Sequence, residues 1–127
     1  MALGLKQRVK EGDKPLPTRH YSKIQEDSVA KAVSGQRQPN SGATTWAKGD
    51  VISDKFLLEC KTKTSPSESI SIKKSWIEKN RQEAVFSGKP YQAIVFNFGP
   101  DEENHYIIDE YLFLELLNHL NTLEEDI

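Results

Sequence analysis

GDVISDKFLLECKTKT, residues 49–64, joins two short apolar segments through a polar turn, and the rest of the chain is organised around it. This pattern predicts a β-hairpin with Asp54 and Lys55 at its tip. Successive side chains of a strand alternate between the faces of a sheet, so the second strand has a charged side and an apolar side. The charged side carries Leu57, Glu59, Lys61 and Lys63, and the apolar side carries Phe56, Leu58 and Cys60. We expect the apolar side to face the core and the charged side to face out.

The length of the turn fixes the partner of Asp50. If residues 53–56 close the hairpin, counting back places Asp50 opposite Glu59. Opposed residues have Cβ atoms about 5 Å apart on one face. Two carboxylates this close, with the ammonium of Lys61 two residues along, are unfavourable unless a cation joins them. The hairpin therefore indicates a divalent-metal site, and a turn one residue longer would point Asp50 at the core instead.

Length and cysteine content limit the class of protein. The 127 residues fit a single domain over residues 21–127, preceded by a flexible basic arm at residues 1–20. Cys60 is the only cysteine, which excludes an intramolecular disulfide framework and a thiolate metal cluster. The sequence has neither a signal-peptide pattern nor an apolar run of membrane-spanning length. We expect a cytoplasmic protein with no membrane partner.

Charge is divided unevenly along the chain. Residues 101–127 hold nine of the 19 acidic residues and none of the 17 lysines and arginines, which leaves residues 1–100 with a net charge of +7. A basic body favours a polyanionic partner, although basic residues also cover ordinary soluble domains. Lys14 and Arg19 of the arm are candidates for nucleic-acid contact. The alternative is that the arm is a disordered terminus with no function.

The remaining sequence predicts a mixed β-sheet flanked by helices. Hydrophobic periodicity and breaker residues give the following order: helix 22–35, polar loop 35–47, the hairpin, an extended piece at 70–72, helix 73–87, strands 91–98 and 106–108, and helix 110–121. Glu26 falls in the first turn of the first helix. The last helix is apolar around much of its girth, so it is a candidate surface for a partner subunit.

This layout resembles the PD-(D/E)XK nuclease superfamily, and within it the small archaeal-type Holliday junction resolvases and their phage relatives. The similarity covers about residues 20–100. It is carried by Glu26, the loop Ser41-Gly42-Ala43, residues 49–51 and 59–61, Trp76, Glu83-Ala84, and residues 88–90 before a buried strand. Gly49 stands where the family pattern has proline, at a position that supplies no ligand.

The resemblance implies a restriction-endonuclease-like α/β fold and a metal-dependent DNA endonuclease. The implied metal is Mg²⁺, with Mn²⁺ as a substitute, held by Asp50, Glu59 and the backbone carbonyl of Cys60, with Glu26 reaching it through a water. Lys61 would orient or deprotonate the attacking water, or stabilise the charge on the phosphate. The cellular location would be the host cytoplasm for a phage-encoded chain.

Further contacts to DNA are implied around this centre. Ser41 and the Gly42 backbone would approach the scissile phosphate, although a Ser-Gly pair is also simply a turn. Lys63, Lys79 and Gln82 are candidate nucleic-acid contacts, and for the two helical residues the alternative is an ordinary solvated face. The three histidines lack metal-ligand spacing, and no phosphate-binding glycine loop indicates a nucleotide cofactor.

The expected activity is resolution of four-way DNA junctions in recombination and repair. Symmetric cutting of two strands needs two active sites related by a two-fold axis, so we expect a homodimer. Two alternatives stay open: another nuclease of this fold, of the restriction or flap type, and a non-catalytic nucleic-acid-binding module. The binding module is disfavoured because, without a metal, two paired carboxylates would face a nucleic acid of the same charge.

Overall fold

The computed structural model describes residues 18–38 and 50–125 of the chain. Its elements are α1 (Thr18–Val33), β1 (Gln36–Arg37), β2 (Val51–Ile52), β3 (Phe56–Lys61), α2 (Lys74–Phe86), β4 (Tyr91–Phe96), β5 (His105–Ile108) and α3 (Glu110–Glu125). This is an α/β fold, as predicted. Lys14 and the loop residues Ser41 and Gly42 lie outside the described residues.

The five strands form one mixed sheet, and the prediction of a mixed sheet is confirmed. Their spatial order is β1-β2-β3-β4-β5. The β3–β4 pair is parallel, and the other three pairs are antiparallel. Parallel neighbours need a crossover connection, which α2 provides between β3 and β4. β3 is the middle strand of the five, and β4 lies between β3 and the edge strand β5.

The hairpin has the register predicted from the sequence. Val51 pairs with Leu58 and Ile52 with Leu57, and the amide of Ser53 donates to the carbonyl of Phe56 across 3.0 Å. The turn is thus no longer than the predicted one, and the paired register runs as far as Val51, next to Asp50. This register is local in origin, because turn length and the alternation of side chains fix it together.

The charged side of β3 faces out less than predicted. Leu57, on that side, is fully buried, as is Leu58 on the other. Val29 of α1 packs in a core cluster with Leu58, and α2 covers the opposite face, where Asn80 donates to the carbonyl of Leu57. Because β3 has a paired neighbour on each edge and a helix packed on each face, Glu59 is partly buried, with its side chain 25% exposed.

The first helix is longer than predicted. It begins at Thr18, so Arg19 belongs to the helix rather than to the arm, and Glu26 lies mid-helix rather than in the first turn. The helix ends before Gly35, where a Cβ atom would stand 2.3 Å from the carbonyl oxygen of Ile52. Only glycine allows β2 to approach this closely.

Two short segments also differ from the prediction. Residues 36–37, placed in the polar loop, form the edge strand β1. Residues 70–72 do not join the sheet. Two residues are too few for a period-2 pattern, so β1 left no signal that could be read in advance.

The other two helices bury fewer apolar residues than their sequences suggest. In α2 the buried residues are Asn80 and Ala84, whereas the apolar Val85 is 79% exposed. In α3 only Leu112 is buried. The exposed apolar residues of α3 are Tyr111, Phe113, Leu114, Leu116, Leu117, Leu120 and Leu123. Within the described ranges, no helix combines the length and the apolar character needed to cross a membrane.

Candidate active site

Asp50 lies alongside Glu59 because two hydrogen bonds hold it against β3. Its amide donates to the carbonyl of Leu58 across 2.9 Å, and its carboxylate accepts from the amide of Cys60 across 2.8 Å. These two partners flank Glu59 in the sequence. The hairpin therefore holds the Asp50 carboxylate where its charge acts on Glu59, while the paired register itself ends at Val51.

The carboxylates form one electrostatic cluster. Burial raises the pKa of Glu59, and the nearby charge of Asp50 raises it further. Burial likewise raises the pKa of Glu26, again with a contribution from Asp50. Burial raises the pKa of Asp50 against the opposing effects of the Cys60 amide, Lys61 and Lys79. Helix α1 and the hairpin thus deliver three acidic groups that each favour protonation or a cation.

Lys61 lies between the acidic cluster and α2. Its Nζ is 3.3 Å from Oε2 of Glu59 and 4.4 Å from the centroid of the Trp76 ring. Both the ion pair and the cation–π contact hold the ammonium group in place. The predicted position of Lys61 beside Glu59 is therefore observed, whereas the contact with Trp76 was not foreseen.

Glu26 has a partner that the sequence did not reveal. Nε of Arg37, on β1, lies 3.1 Å from Oε1 of Glu26, and its Nη1 lies 3.5 Å from Asp27. The side chain of Glu26 is only 16% exposed. Arg37 therefore balances part of the charge that Glu26 adds to the cluster. It could not be identified beforehand, because β1 itself was not predicted.

The other predicted contacts lie at different distances from this centre. Lys79 pairs with Glu83 at 3.8 Å, and its charge reaches Asp50. Gln82 and Arg19 are exposed on their helices, and Lys63 is half-buried just beyond β3. Of these candidates, the structure brings Lys79 towards the carboxylates. The predicted contacts at Lys14, Ser41 and Gly42 fall outside the described ranges.

A buried glutamine supports the end of β3. Nε2 of Gln25 donates to the carbonyls of Lys61 and Val95, at 2.9 and 3.3 Å. Gln25 is 3% exposed and lies four residues before Val29, on the buried stripe of α1. A polar residue on an apolar stripe is a signal that could have identified it. This contact fixes α1, and with it Glu26, relative to Lys61.

The cysteine next to Glu59 is chemically quiet. Burial, together with the surrounding carboxylates, raises the pKa of the Cys60 thiol far above its usual range. The thiolate, which is the nucleophilic form, is therefore suppressed. The amide of Cys60 has a structural role instead, because it is the donor that positions Asp50.

The donor set suits a hard divalent cation. Within residues 18–38 and 50–125, no three His, Cys, Asp or Glu side chains are grouped closely enough to hold a metal ion by themselves. Mg²⁺, however, is usually held by one or two carboxylates and keeps several waters. Asp50 and Glu59 provide such a pair, in a setting where burial disfavours two uncompensated negative charges. The residues present therefore fit Mg²⁺.

Comparisons with known proteins give no assignment. No family model matches the chain, and neither a curated protein nor a solved structure matches it. The chemistry of the site therefore has to be argued from its own residues.

Proposed function

We propose that the chain is a Mg²⁺-dependent DNA endonuclease with a restriction-endonuclease-like fold. The observation that carries this proposal is the arrangement on the hairpin: Asp50 is held beside Glu59, and Nζ of Lys61 lies 3.3 Å from the Glu59 carboxylate. Two acidic groups and a lysine, gathered near one end of β3, suit metal-assisted phosphodiester hydrolysis.

The order of elements supports the same proposal. A helix carrying Glu26 precedes the hairpin, and α2 leads from the hairpin to the central strand β4. This is the layout on which the resemblance to PD-(D/E)XK nucleases was founded. The sheet also places the carboxyl ends of β3 and β4 side by side, where ligands commonly bind in α/β folds.

Each residue of the site has a role in this proposal. Asp50, Glu59 and the carbonyl of Cys60 would hold Mg²⁺, and Glu26 would complete the acidic group through a water. The metal, with Mn²⁺ as a substitute, would lower the pKa of a bound water and offset charge that develops on the phosphate. Lys61 would orient the attacking water or donate to the phosphate, because Glu59 and Trp76 hold its ammonium group beside the site.

The proposed substrate is branched DNA, in particular the four-way junction, and the proposed active form is a homodimer. The net charge of +7 on residues 1–100 favours a polyanion. Cutting two strands symmetrically requires two copies of a chain that has one such site. The apolar surface of α3 is the candidate for the subunit contact.

A second candidate function is a non-catalytic nucleic-acid-binding module on the same fold. Two observations favour it. Arg37 and Lys61 already pair with Glu26 and Glu59, so part of the acidic charge is balanced without a metal. In addition, no self-sufficient group of three ligands occurs in the part of the chain that the structure describes.

The deciding experiment measures cleavage of a four-way junction, a flap, a linear duplex and a single strand, with Mg²⁺ and with EDTA. We expect Mg²⁺-dependent cutting that is fastest on the junction. Asp50→Asn and Glu59→Gln should abolish cutting while binding of the junction persists. Asp54→Asn is the matched control, because the Asp54 side chain is 95% exposed at the hairpin tip.

The outcomes separate the candidates. Full cleavage by either site variant would reject the site. Equal cutting of all four substrates would keep the nuclease and reject the junction specificity. Tight binding without cutting of any substrate would favour the binding module.

A further inference from the structure

A cleft of about 710 Å³ lies between the first half of α1 and the connection from β4 to β5. Its lining is rich in uncharged groups that both donate and accept hydrogen bonds, namely Gln25, Ser28, Thr62, Asn97 and Asn104. His20 and Tyr21 add two aromatic rings that meet edge to face at 5.2 Å. Among the described lining residues there is neither a lysine nor an arginine, whereas Asp101 and Glu102 are present. This combination disfavours a phosphate and favours a neutral, planar, polar group.

The polar side chains form a network with loose bonds at Asn104. The hydroxyl of Thr62 donates to Oδ1 of Asn97 across 2.6 Å, which is a firm hydrogen bond. Asn104, in contrast, bonds to Asn97, Gln25 and Ser28 across 3.2, 3.4 and 3.4 Å. Bonds of this length lie at or beyond the usual limit, so they are readily exchanged for bonds to a ligand.

An unpaired acceptor adds an independent reason to expect a ligand. Oε1 of Gln25 is buried and has no hydrogen-bond partner in the described structure. A buried acceptor without a donor costs about 1–3 kcal/mol, so native proteins seldom leave one unpaired without a reason. A ligand with an N–H group in the cleft, which Gln25 lines, could satisfy it.

The cleft borders the proposed active site. Gln25 lines the cleft and is followed directly by Glu26, and Thr62 lines the cleft and follows Lys61. Nε2 of Gln25 also donates to the carbonyl of Lys61 across 2.9 Å. The cleft and the proposed site therefore share α1 and the end of β3, and a branched DNA bound at the carboxylates could present a neighbouring nucleotide to the cleft.

We propose that this cleft binds an unpaired nucleobase, which extends the proposed nuclease function by naming what the site recognises in branched DNA. Amide side chains such as Asn97 and Asn104 present a donor beside an acceptor, as base edges do, and Asp101 can accept from an exocyclic amino group. Tyr21 supplies a ring for stacking. Because the described lining residues include no basic group, the cleft can hold the neutral base but offers no partner for its phosphate, which would stay outside.

The test uses the full chain in EDTA, titrated with a DNA duplex that carries 2-aminopurine in a one-base bulge and with the same duplex fully paired. We expect a saturable fluorescence change with the bulge only. Tyr21→Ala should weaken this binding about 10-fold, because stacking of one base contributes about 1–3 kcal/mol. Tyr21→Phe should restore it, and Tyr106→Ala, on β5 outside the cleft, should leave it unchanged.

A second variant keeps the test decisive if Tyr21→Ala fails to fold. Ser28 is exposed at the cleft, so Ser28→Trp fills the space without disturbing the core, and it should also weaken binding about 10-fold. Unchanged binding by Ser28→Trp, or an equal response to paired and bulged DNA, would overturn the inference.

If the chain cuts no DNA but these responses hold, the nuclease proposal fails and the base site stands. If it cuts junctions without these responses, only the base site fails.

Discussion

The carboxylate of Asp50 accepts a hydrogen bond from the amide of Cys60 across 2.8 Å, and this bond keeps it against Glu59 on the next strand. Folding therefore places two acidic groups together where burial already disfavours their charge. An arrangement of this kind lowers the stability of the metal-free protein at neutral pH. In the proposed function, binding of a cation would recover this energy.

Removing one of these charges should stabilise the metal-free protein. Because burial raises the pKa of Asp50, the folded state loses stability as the pH rises through that pKa. Asp50→Asn keeps an oxygen for the Cys60 amide but carries no charge, so we expect a higher Tm in EDTA at pH 7. The gain in Tm should disappear below about pH 4, the ordinary pKa of aspartate, because the side chain at position 50 is then neutral in the natural chain as well as in the variant. Thermal unfolding followed by circular dichroism measures the gain and its loss at low pH.

Mg²⁺ provides the complementary measurement. It should raise the Tm of the natural chain and leave that of Asp50→Asn unchanged, since a ligand that binds only the folded state stabilises it. An equal rise in both proteins would contradict metal binding at the hairpin. Asp54→Asn, at the exposed turn, is the control for a general effect of charge.

Lys61→Met should separate chemistry from binding. The ammonium group lies 3.3 Å from Glu59 and over Trp76, and methionine keeps much of the packing without the charge. Groups that assist proton transfer contribute about 10²–10⁴-fold to rate, so we expect cleavage to slow at least about 100-fold while junction affinity changes little. Single-turnover cleavage and gel-shift titration test this. A matching loss in Lys63→Met would show that general positive charge, rather than position, is responsible.

Asn80 should be one of the most sensitive positions in the core. Its Nδ2 donates to the carbonyls of Leu57 and Ala93 and to the side chain of Gln92, and the residue is 1% exposed. Asn80→Ala leaves these acceptors unpaired, so we expect a loss of about 3 kcal/mol in the free energy of unfolding. Urea unfolding measures it. Gln82→Ala, exposed on the same helix, should change stability by less than about 0.5 kcal/mol.

The apolar surface of α3 should hold two subunits together. Leu112, Leu116, Leu120 and Leu123 recur at helical spacing on one face, and the last three are exposed in the single chain. Leu120→Lys should convert a dimer into a monomer in analytical ultracentrifugation and reduce paired cutting of a junction. Asn121→Lys, one residue on and away from that face, should remain dimeric. A natural chain that sediments as a monomer when bound to junction DNA would reject the dimer.

The hairpin register could be predicted because its causes are local. A short turn and a period-2 pattern suffice to place Asp50 beside Glu59, and no distant contact had to be known. The burial of the charged side of β3 could not be predicted in the same way. It depends on α2 packing on the charged face of β3. The alternation of side chains in the sequence is the same whether this face meets water or a helix.

Polar residues on buried faces were the second source of error. Gln25 and Asn80 each occupy a position where the helical pattern calls for an apolar residue, and each bonds to strand carbonyls. Read along the sequence, such a residue looks like an interruption of the stripe. Arg37 was missed for a different reason, because its strand is two residues long and pairs with a segment that follows it by fifteen positions.

The edges of the sheet bear on how the protein can assemble. β1 has two residues and β5 has four, so neither edge presents a long row of unpaired backbone groups to another chain. Association through backbone pairing is thereby discouraged, and in the proposed dimer the contact between copies would fall to the side chains of α3. Subunit affinity could then be tuned, one surface residue at a time, without altering the strands that hold the carboxylates.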